Sequence, residues 1–351
     1  MKINRIKDKL CGFVALFLLL LAGSCTQESP VTTPFPEPVE PPGETVLAKG
    51  ADVSWVTKME KEGYKFYNSL QQETELFSLL KNETGVNAIR LRVWVNPEEG
   101  WNNIDDVMVK ARRAHKMGLR LMIDFHFSDT WADPGAQVTP AAWAAYDMTQ
   151  LKAAVATHVT DMLTRLKNDN IEPEWVQIGN ETRNGMLYPL GHIDNDSNFA
   201  ELVNSGYHAV KELFPDCLVV VHLDSGQRAD LYSRMFNYLK THNAQYDVIG
   251  MSLYPEAENW QTLLSECIGN IESVIDTYNK PVMICEVGMS YDQAAACKEL
   301  VRMLLDYGET NEKMLGLFYW EPQAPPGYNN GYNKGCFVNG TPTEALDPFM
   351  E

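Results

Sequence analysis

The stretch NAIRLRVWVNPEEGWNNIDDVMVKARRAHKMGLRLMIDFHF, residues 87–127, holds two short apolar, β-branched runs, Asn87–Val95 and Arg120–Phe127, with a longer amphipathic run, Ile104–Met117, between them. The outer runs have the length of strands. The middle one repeats its apolar residues at spacings of three and four, as a helix with one buried face does. Working outward, the same alternation recurs. Strands are predicted at Gly50–Trp55, Glu174–Glu181, Leu218–Asp224, Asp247–Tyr254, Val282–Val287 and Leu315–Trp320, and helices at Leu151–Lys167, Phe199–Phe214, Leu263–Tyr278 and Ala294–Tyr307. Eight strand starts spaced by about 38 residues correspond to one βα unit each. The predicted fold class is α/β, a closed (β/α)8 TIM barrel forming a single domain over residues 49–351. An open doubly wound sheet is the alternative, weakened because no Gly-rich phosphate fingerprint follows the first strand.

Of 351 residues, 45% are hydrophobic, enough to bury a large core and to exclude disorder as the main state. The net charge of −18, from 29 Lys and Arg against 47 Asp and Glu, repels phosphate backbones and acidic polysaccharides. Nucleic acid is therefore not an expected partner, and neutral substrates are favoured. Residues 1–24 read as an export signal: Lys2, Arg5, Lys7 and Lys9 precede an uncharged run, Leu10–Ala22, of 13 residues, shorter than a membrane span. Gly23-Ser24-Cys25 closes it in the manner of a bacterial lipoprotein signal, so Cys25 is the expected lipid anchor, and residues 25–48 form a Pro-rich tether with six of the 19 prolines. The expected location is the cell envelope, at the outer membrane or cell surface, with a periplasmic or secreted protein as the alternative. Without residues 1–24 the chain carries 25 basic against 46 acidic residues, or −21. The remaining cysteines, Cys217, Cys267, Cys285, Cys297 and Cys336, have no zinc-type spacing, and their pairing cannot be read from sequence.

In a barrel of this kind chemistry gathers at the C-terminal ends of the strands. Those ends carry Asp52, Arg90 and Arg92, Asp124 and His126, Asn180 and Glu181, His222 and Asp224, Tyr254, Glu286 and Trp320. Two glutamates on the fourth and seventh strands would face each other across the mouth, an arrangement suited to acid/base and nucleophilic attack at an acetal carbon. Plainer readings exist. Asn180 and Glu181 could cap a following helix, and Glu286 could be a strand-end partner for Arg90 or Arg92. The spacings Asp124-x-His126 and His222-x-Asp224 also allow a divalent metal, although no further cluster completes a shell, so the metal-free reading is preferred. A metal-dependent hydrolase and a catalytically silent glycan-binding lipoprotein are the rival classes.

The runs Gly50-Ala51-Asp52-Val53-Ser54, Arg90–Pro97, Asp124–Gly135 (DFHFSDTWADPG), Gln177-Ile178-Gly179-Asn180-Glu181 and Phe318–Pro322 resemble glycoside hydrolase family 53. The resemblance spans residues 49 to about 322 and implies a retaining endo-β-1,4-galactanase acting on neutral galactan, such as type I arabinogalactan. By that resemblance Glu181 is the acid/base and Glu286 the nucleophile, with carboxyls about 5–5.5 Å apart. Asn180 would bond the sugar 2-hydroxyl, and Tyr254 with either Arg90 or Arg92 would orient Glu286. Trp320 would floor the reacting sugar, Trp55, Trp94 and Trp131 would be further platforms, and Asp129 and Asp133 loop contacts. Trp175 is expected in the core instead. No cofactor is expected, and a monomer is. Bacterial relatives often carry an Asp/Gly-rich calcium loop after the nucleophile strand, whereas here Gly288-Met289-Ser290-Tyr291-Asp292 leads into a helix, so calcium would have to bind without that loop. After Glu321-Pro322 the family usually continues Ala-Trp, and here Gln323-Ala324-Pro325-Pro326 and an Asn/Gly/Tyr-rich stretch follow.

Overall fold

The structure, a computed structural model, describes residues 46–351. The signal at 1–24, the anchor Cys25 and nearly all of the tether lie outside the described residues. Eight strands, β1 (Ala48–Asp52), β2 (Ala88–Val93), β3 (Arg120–Phe125), β4 (Trp175–Ile178), β5 (Leu218–Leu223), β6 (Val248–Leu253), β7 (Val282–Val287) and β8 (Met314–Trp320), pair in parallel in sequence order. The ring closes because β8 also pairs with β1, with Ala48 opposite Gly316 and Asp52 opposite Trp320. That pairing excludes the open sheet. The first barrel residue is Ala48, one before the boundary predicted from sequence.

The outer layer is α1 (Val56–Lys61), α2 (Leu76–Thr84), α3 (Ile104–Lys116), α4 (Met148–Asn168), α5 (Asn198–Leu213), α6 (Ala229–Thr241), α7 (Trp260–Tyr278) and α8 (Ala294–Thr310). Local chemistry sets their ends. Asn103 caps α3 by accepting from the Asp106 amide, Asp105 and Asp106 sit in its first turn, and Arg113, His115 and Lys116 in its last, matching charge to the helix dipole. Asp147 and Gln150 form a capping box on α4.

Most strands stop short of the sequence prediction. The expected ends at Trp55, Phe127, Glu181, Asp224 and Tyr254 lie beyond observed ends at Asp52, Phe125, Ile178, Leu223 and Leu253. The reason is local in two cases: Gly179 (φ 82°) and Glu181 (φ 47°) follow β4, and Phe127 (φ 50°) follows β3, which turns the chain out of the ladder and into rim loops.

Parallel strands covered on both sides bury both faces. The outward face packs on the helices, while Ala48, Ala88, Met122, Trp175, Val220, Val248, Met283, Cys285 and Phe318 fill the lower lumen. Trp175 is in that core as expected, edge-on to Phe318 with ring centres 6.0 Å apart. Gly50 makes the space for Phe318: a Cβ there would fall 2.2 Å from its ring. Gly50→Ala is therefore expected to destabilise the barrel by about 1–3 kcal/mol through overpacking, read as a lower urea midpoint with an unchanged m-value.

Candidate active site

Arg90 enters the upper lumen from β2, and three carboxylates converge on it. Nη1 lies 2.8 Å from Asp52 Oδ2 and 3.0 Å from Glu286 Oε1, and Nη2 lies 2.8 Å from Asp124 Oδ2. The same guanidinium donates to Gln177 Oε1 and Asn180 Oδ1, both at 3.0 Å from Nη2. Burial opposes the charge on Arg90, yet the carboxylates of Asp124, Glu286 and Asp52 outweigh it and keep the group fully ionised. Burial likewise disfavours the Asp124 charge, but Arg90 and His126 hold its pKa below the ordinary value.

Glu286 reaches this cluster only because β7 is irregular. Met251 pairs with Ile284 and Ser252 with Glu286, so Cys285 is an extra residue in the strand. Met283 and Cys285 already face the lumen, and strict alternation would send Glu286 outward toward the helices. The bulge returns it to the barrel mouth. Gly250 accommodates it, since a Cβ there would lie 2.7 Å from Cys285 Sγ. The Tyr254 hydroxyl donates to Glu286 Oε2 at 2.7 Å, while Oε1 faces the Arg90 guanidinium in an ion pair.

Glu181 sits past the end of β4 on a backbone turned through two positive-φ residues, Gly179 and Glu181. No helix begins there, since α5 starts at Asn198, which rules out the capping reading of Asn180-Glu181. The Ser252 hydroxyl donates to Glu181 Oε1 at 2.8 Å, and His222 Nε2 stands 2.8 Å behind that hydroxyl. Burial is the main influence on the Glu181 carboxyl and the Glu286 charge the next, and together they push it up to about 8. Burial also raises Glu286, to about 7, against the pull of Arg90 and the Tyr254 hydrogen bond. The pair therefore loses its first proton from Glu286, and Glu181 keeps the second.

A cleft of about 390 Å³ opens over these carboxyls, and of the residues singled out from sequence the structure places His126, Trp131, Asp133, Asn180, Tyr254 and Trp320 in its wall. Tyr332 and Lys334 line it too. Sequence reasoning missed them because an irregular loop has no periodicity. It missed Ser252 as well, although that residue lies two before Tyr254 on the same strand face.

Several expected contact residues lie behind the wall instead. Asp52 is buried, with Oδ2 on Arg90 and Oδ1 accepting from the Ser54 amide and hydroxyl. His222 is buried against Ser252, and Asp224 pairs with Arg183. Asp129 accepts from the backbone amides of Asn96 and Ala141 and so ties two loops together. Trp94 backs Trp131 edge-on at 5.3 Å and donates from Nε1 to His126 Nδ1. Arg92 does not approach Glu286: its partner is Glu321, at 2.9 Å. Its guanidinium carbon lies 4.5 Å from the Trp131 ring centre and 5.3 Å from those of Trp55 and Trp94, a cation beneath an aromatic floor. Arg90 is thus the arginine that holds Glu286.

The two spacings that allowed a metal are spent on protein partners. Asp124 serves Arg90 and His126, whose Nδ1 takes the Trp94 and Ala132 N–H groups and so carries its proton on Nε2, toward Asp124. Among the described residues no group of three or more His, Cys, Asp or Glu side chains is arranged to hold an ion. The five described cysteines are free and buried.

Residues 48–345 match the sequence profile of glycosyl hydrolase family 53. The chain belongs to that family. It is 35% identical over 299 residues to an arabinogalactan endo-β-1,4-galactanase of Humicola insolens, covering 78% of this chain and 89% of the relative. To an endo-β-1,4-galactanase of Bacillus subtilis strain 168 it is 30% identical over 312 residues, covering 79% and 70%. Among solved structures, a fungal β-1,4-galactanase superposes with a TM-score of 0.79 at 31% identity, covering 86% of this chain and 98% of that one. The family 53 catalytic domain of Ignisphaera aggregans gives 0.78 at 30% identity, over 88% and 97%.

In this glycoside hydrolase the Tyr254 hydroxyl stabilises the charged form of Glu286, so Tyr254→Phe raises that pKa. The acidic limb of the kcat/KM profile should move to higher pH, and kcat should fall roughly tenfold or more. Rates measured across pH 4–10 (about that range) check both effects.

Proposed function

We propose that this protein is a retaining endo-β-1,4-galactanase that cuts internal bonds of galactan and type I arabinogalactan by double displacement. The observation that carries the reading is the unequal treatment of two facing carboxyls. Glu286 is held by Arg90 and Tyr254, and Glu181 is half-buried in the cleft wall with the Ser252 hydroxyl as the donor to its carboxyl. A charged nucleophile and a protonated acid can then coexist near neutrality.

In the first step Glu286 attacks the anomeric carbon while Glu181 gives its proton to the departing glycosidic oxygen, leaving a glycosyl ester on Glu286. Glu181, now ionised, takes a proton from water, and the resulting hydroxide equivalent displaces Glu286. Two inversions at one carbon give net retention. Asn180 supports the oxocarbenium-like transition state: its Oδ1 is fixed by Arg90 and Gln177 and one amide hydrogen by the Ala132 carbonyl, which leaves the other for the sugar 2-hydroxyl. Trp320 and Trp131 offer flat apolar faces for the sugar rings. The internal mode of cutting and the galactan substrate are supported by the endo-β-1,4-galactanases among its family 53 relatives.

Glu286→Gln should lower kcat at least roughly a thousandfold. Proton NMR of freshly released reducing ends should show the β anomer first, and initial release of the α anomer would overturn the mechanism. The kcat/KM profile of the native protein should be a bell: activity appears as Glu286 ionises and is lost as Glu181 deprotonates near pH 8.

The Cys25 anchor belongs to the same reading. The chain enters β1 at Ala48, at the end of the barrel opposite the cleft. Cys25→Ser should move the enzyme from the membrane to the soluble fraction on cell fractionation, with its specific activity retained.

A further inference from the structure

The loop after β8 is where the sequence leaves the family pattern, and it folds back over the cleft. Its course is fixed mainly by backbone bonds. The Cys336 amide donates to the Pro322 carbonyl at 2.8 Å, the Tyr291 amide to the Asn333 carbonyl at 2.8 Å, and the Tyr319 hydroxyl to the Lys334 carbonyl at 2.9 Å. Tyr332 adds a bond from its hydroxyl to the Trp320 carbonyl at 2.6 Å. None of these anchors uses the Lys334 side chain.

Gly288, two residues beyond Glu286, makes room for the approach. A Cβ there would stand 3.3 Å from the Tyr254 ring and 3.5 Å from both Cβ and the carbonyl oxygen of Lys334. The lysine stem therefore runs beside Tyr254, its Nζ 5.9 Å from that ring centre and 3.1 Å from Glu256 Oε1, and it lines the cleft next to Glu181 and Glu286. An ammonium carries three donors and Glu256 occupies one. The rest sit at a wall where a hydroxyl-rich polymer passes, and hydrogen bonds from a charged donor are stronger than those from a neutral one.

Resting on the galactanase reading, we propose that Lys334 is a substrate-binding residue, donating from Nζ to a hydroxyl of the bound galactan, with Glu256 as the residue that positions it. A long, flexible side chain loses rotamer freedom when it is held, and the Glu256 pair supplies that restraint before substrate arrives.

The test is steady-state hydrolysis of linear galactan by the full-length protein and by Lys334→Met, Lys334→Arg and Glu256→Gln. Lys334→Met keeps the stem over Tyr254 and removes every donor. It should raise KM about tenfold or more with a smaller change in kcat and no shift in the alkaline limb of the pH profile. Lys334→Arg should recover part of the loss, and Glu256→Gln should fall between. A native-like KM in Lys334→Met overturns the assignment. So does a fall in kcat at constant KM with a displaced alkaline limb, which would make the lysine a tuner of the carboxyls instead of a ligand contact. A thermal melt matching that of the native protein shows that Lys334→Met folds, and should it not, Lys334→Gln reads the same KM without the charge. A native protein that releases no reducing ends from galactan sinks the galactanase reading itself, whereas an active native protein with an unaffected Lys334→Met sinks only the lysine.

Discussion

One buried cation, the Arg90 guanidinium, organises the mouth of this barrel. It faces Asp52 from β1, Asp124 from β3 and Glu286 from β7, and it also bonds Gln177 and Asn180 at the end of β4. Four charged groups without water would be prohibitively costly if left unpaired, and removing one partner of such a buried set typically costs about 3–5 kcal/mol. The guanidinium fits because its planar fork presents several donors in fixed directions. A lysine would supply one point charge to a site that needs at least three directions at once.

The division of labour between the two glutamates follows from that cation. It lies against Glu286 and not against Glu181, so burial raises both carboxyls but the charge settles on Glu286. Once Glu286 is ionised, its field adds to the burial of Glu181 and keeps the proton there. Each carboxyl thus sets the state of the other, so a protonated and an ionised carboxyl stand in one cleft. The β7 bulge makes this contact possible, and Cys285 is the extra residue that turns the strand.

A second buried pair, Arg92 with Glu321, does parallel work below the aromatic floor of the cleft. Two of the Arg92 nitrogens, Nε and Nη2, have no hydrogen-bond partner, and the faces of Trp55, Trp94 and Trp131 surround the guanidinium instead. Cation–π attraction is strongest when the cation is desolvated, so the charge fixes the tilt of the indoles that a sugar ring would meet. Trp320 and Tyr332 continue the floor by edge contacts, with Trp55 5.2 Å from Trp320 and 5.3 Å from Tyr332. The positive layer and the aromatic layer are thus one structure.

Much of this was legible in the chain. Alternating strand and helix periods fixed the barrel, since a parallel strand needs a crossover and eight regular units close a ring. The residues at strand ends, Glu181 and Glu286 among them, were legible because barrel chemistry is confined to one rim. Helix caps such as Asn103 were local and so visible too. What the sequence could not decide was which side chains share a contact across the ring. Arg90 and Arg92 are equivalent by spacing, both two-residue neighbours on one strand face, and only the closed ring shows that one meets Glu286 and the other Glu321. Strict alternation even points Glu286 the wrong way, because a bulge depends on the register between two paired strands and leaves no local mark. The same holds for Asp52, His222 and Asp224, whose polar character suggested contact with substrate but whose partners, supplied by other strands and loops, bury them beneath it. Periodicity is a property of neighbours along the chain and survives in the sequence, whereas the pairing of charges is a property of neighbours in space and exists only once the barrel has closed.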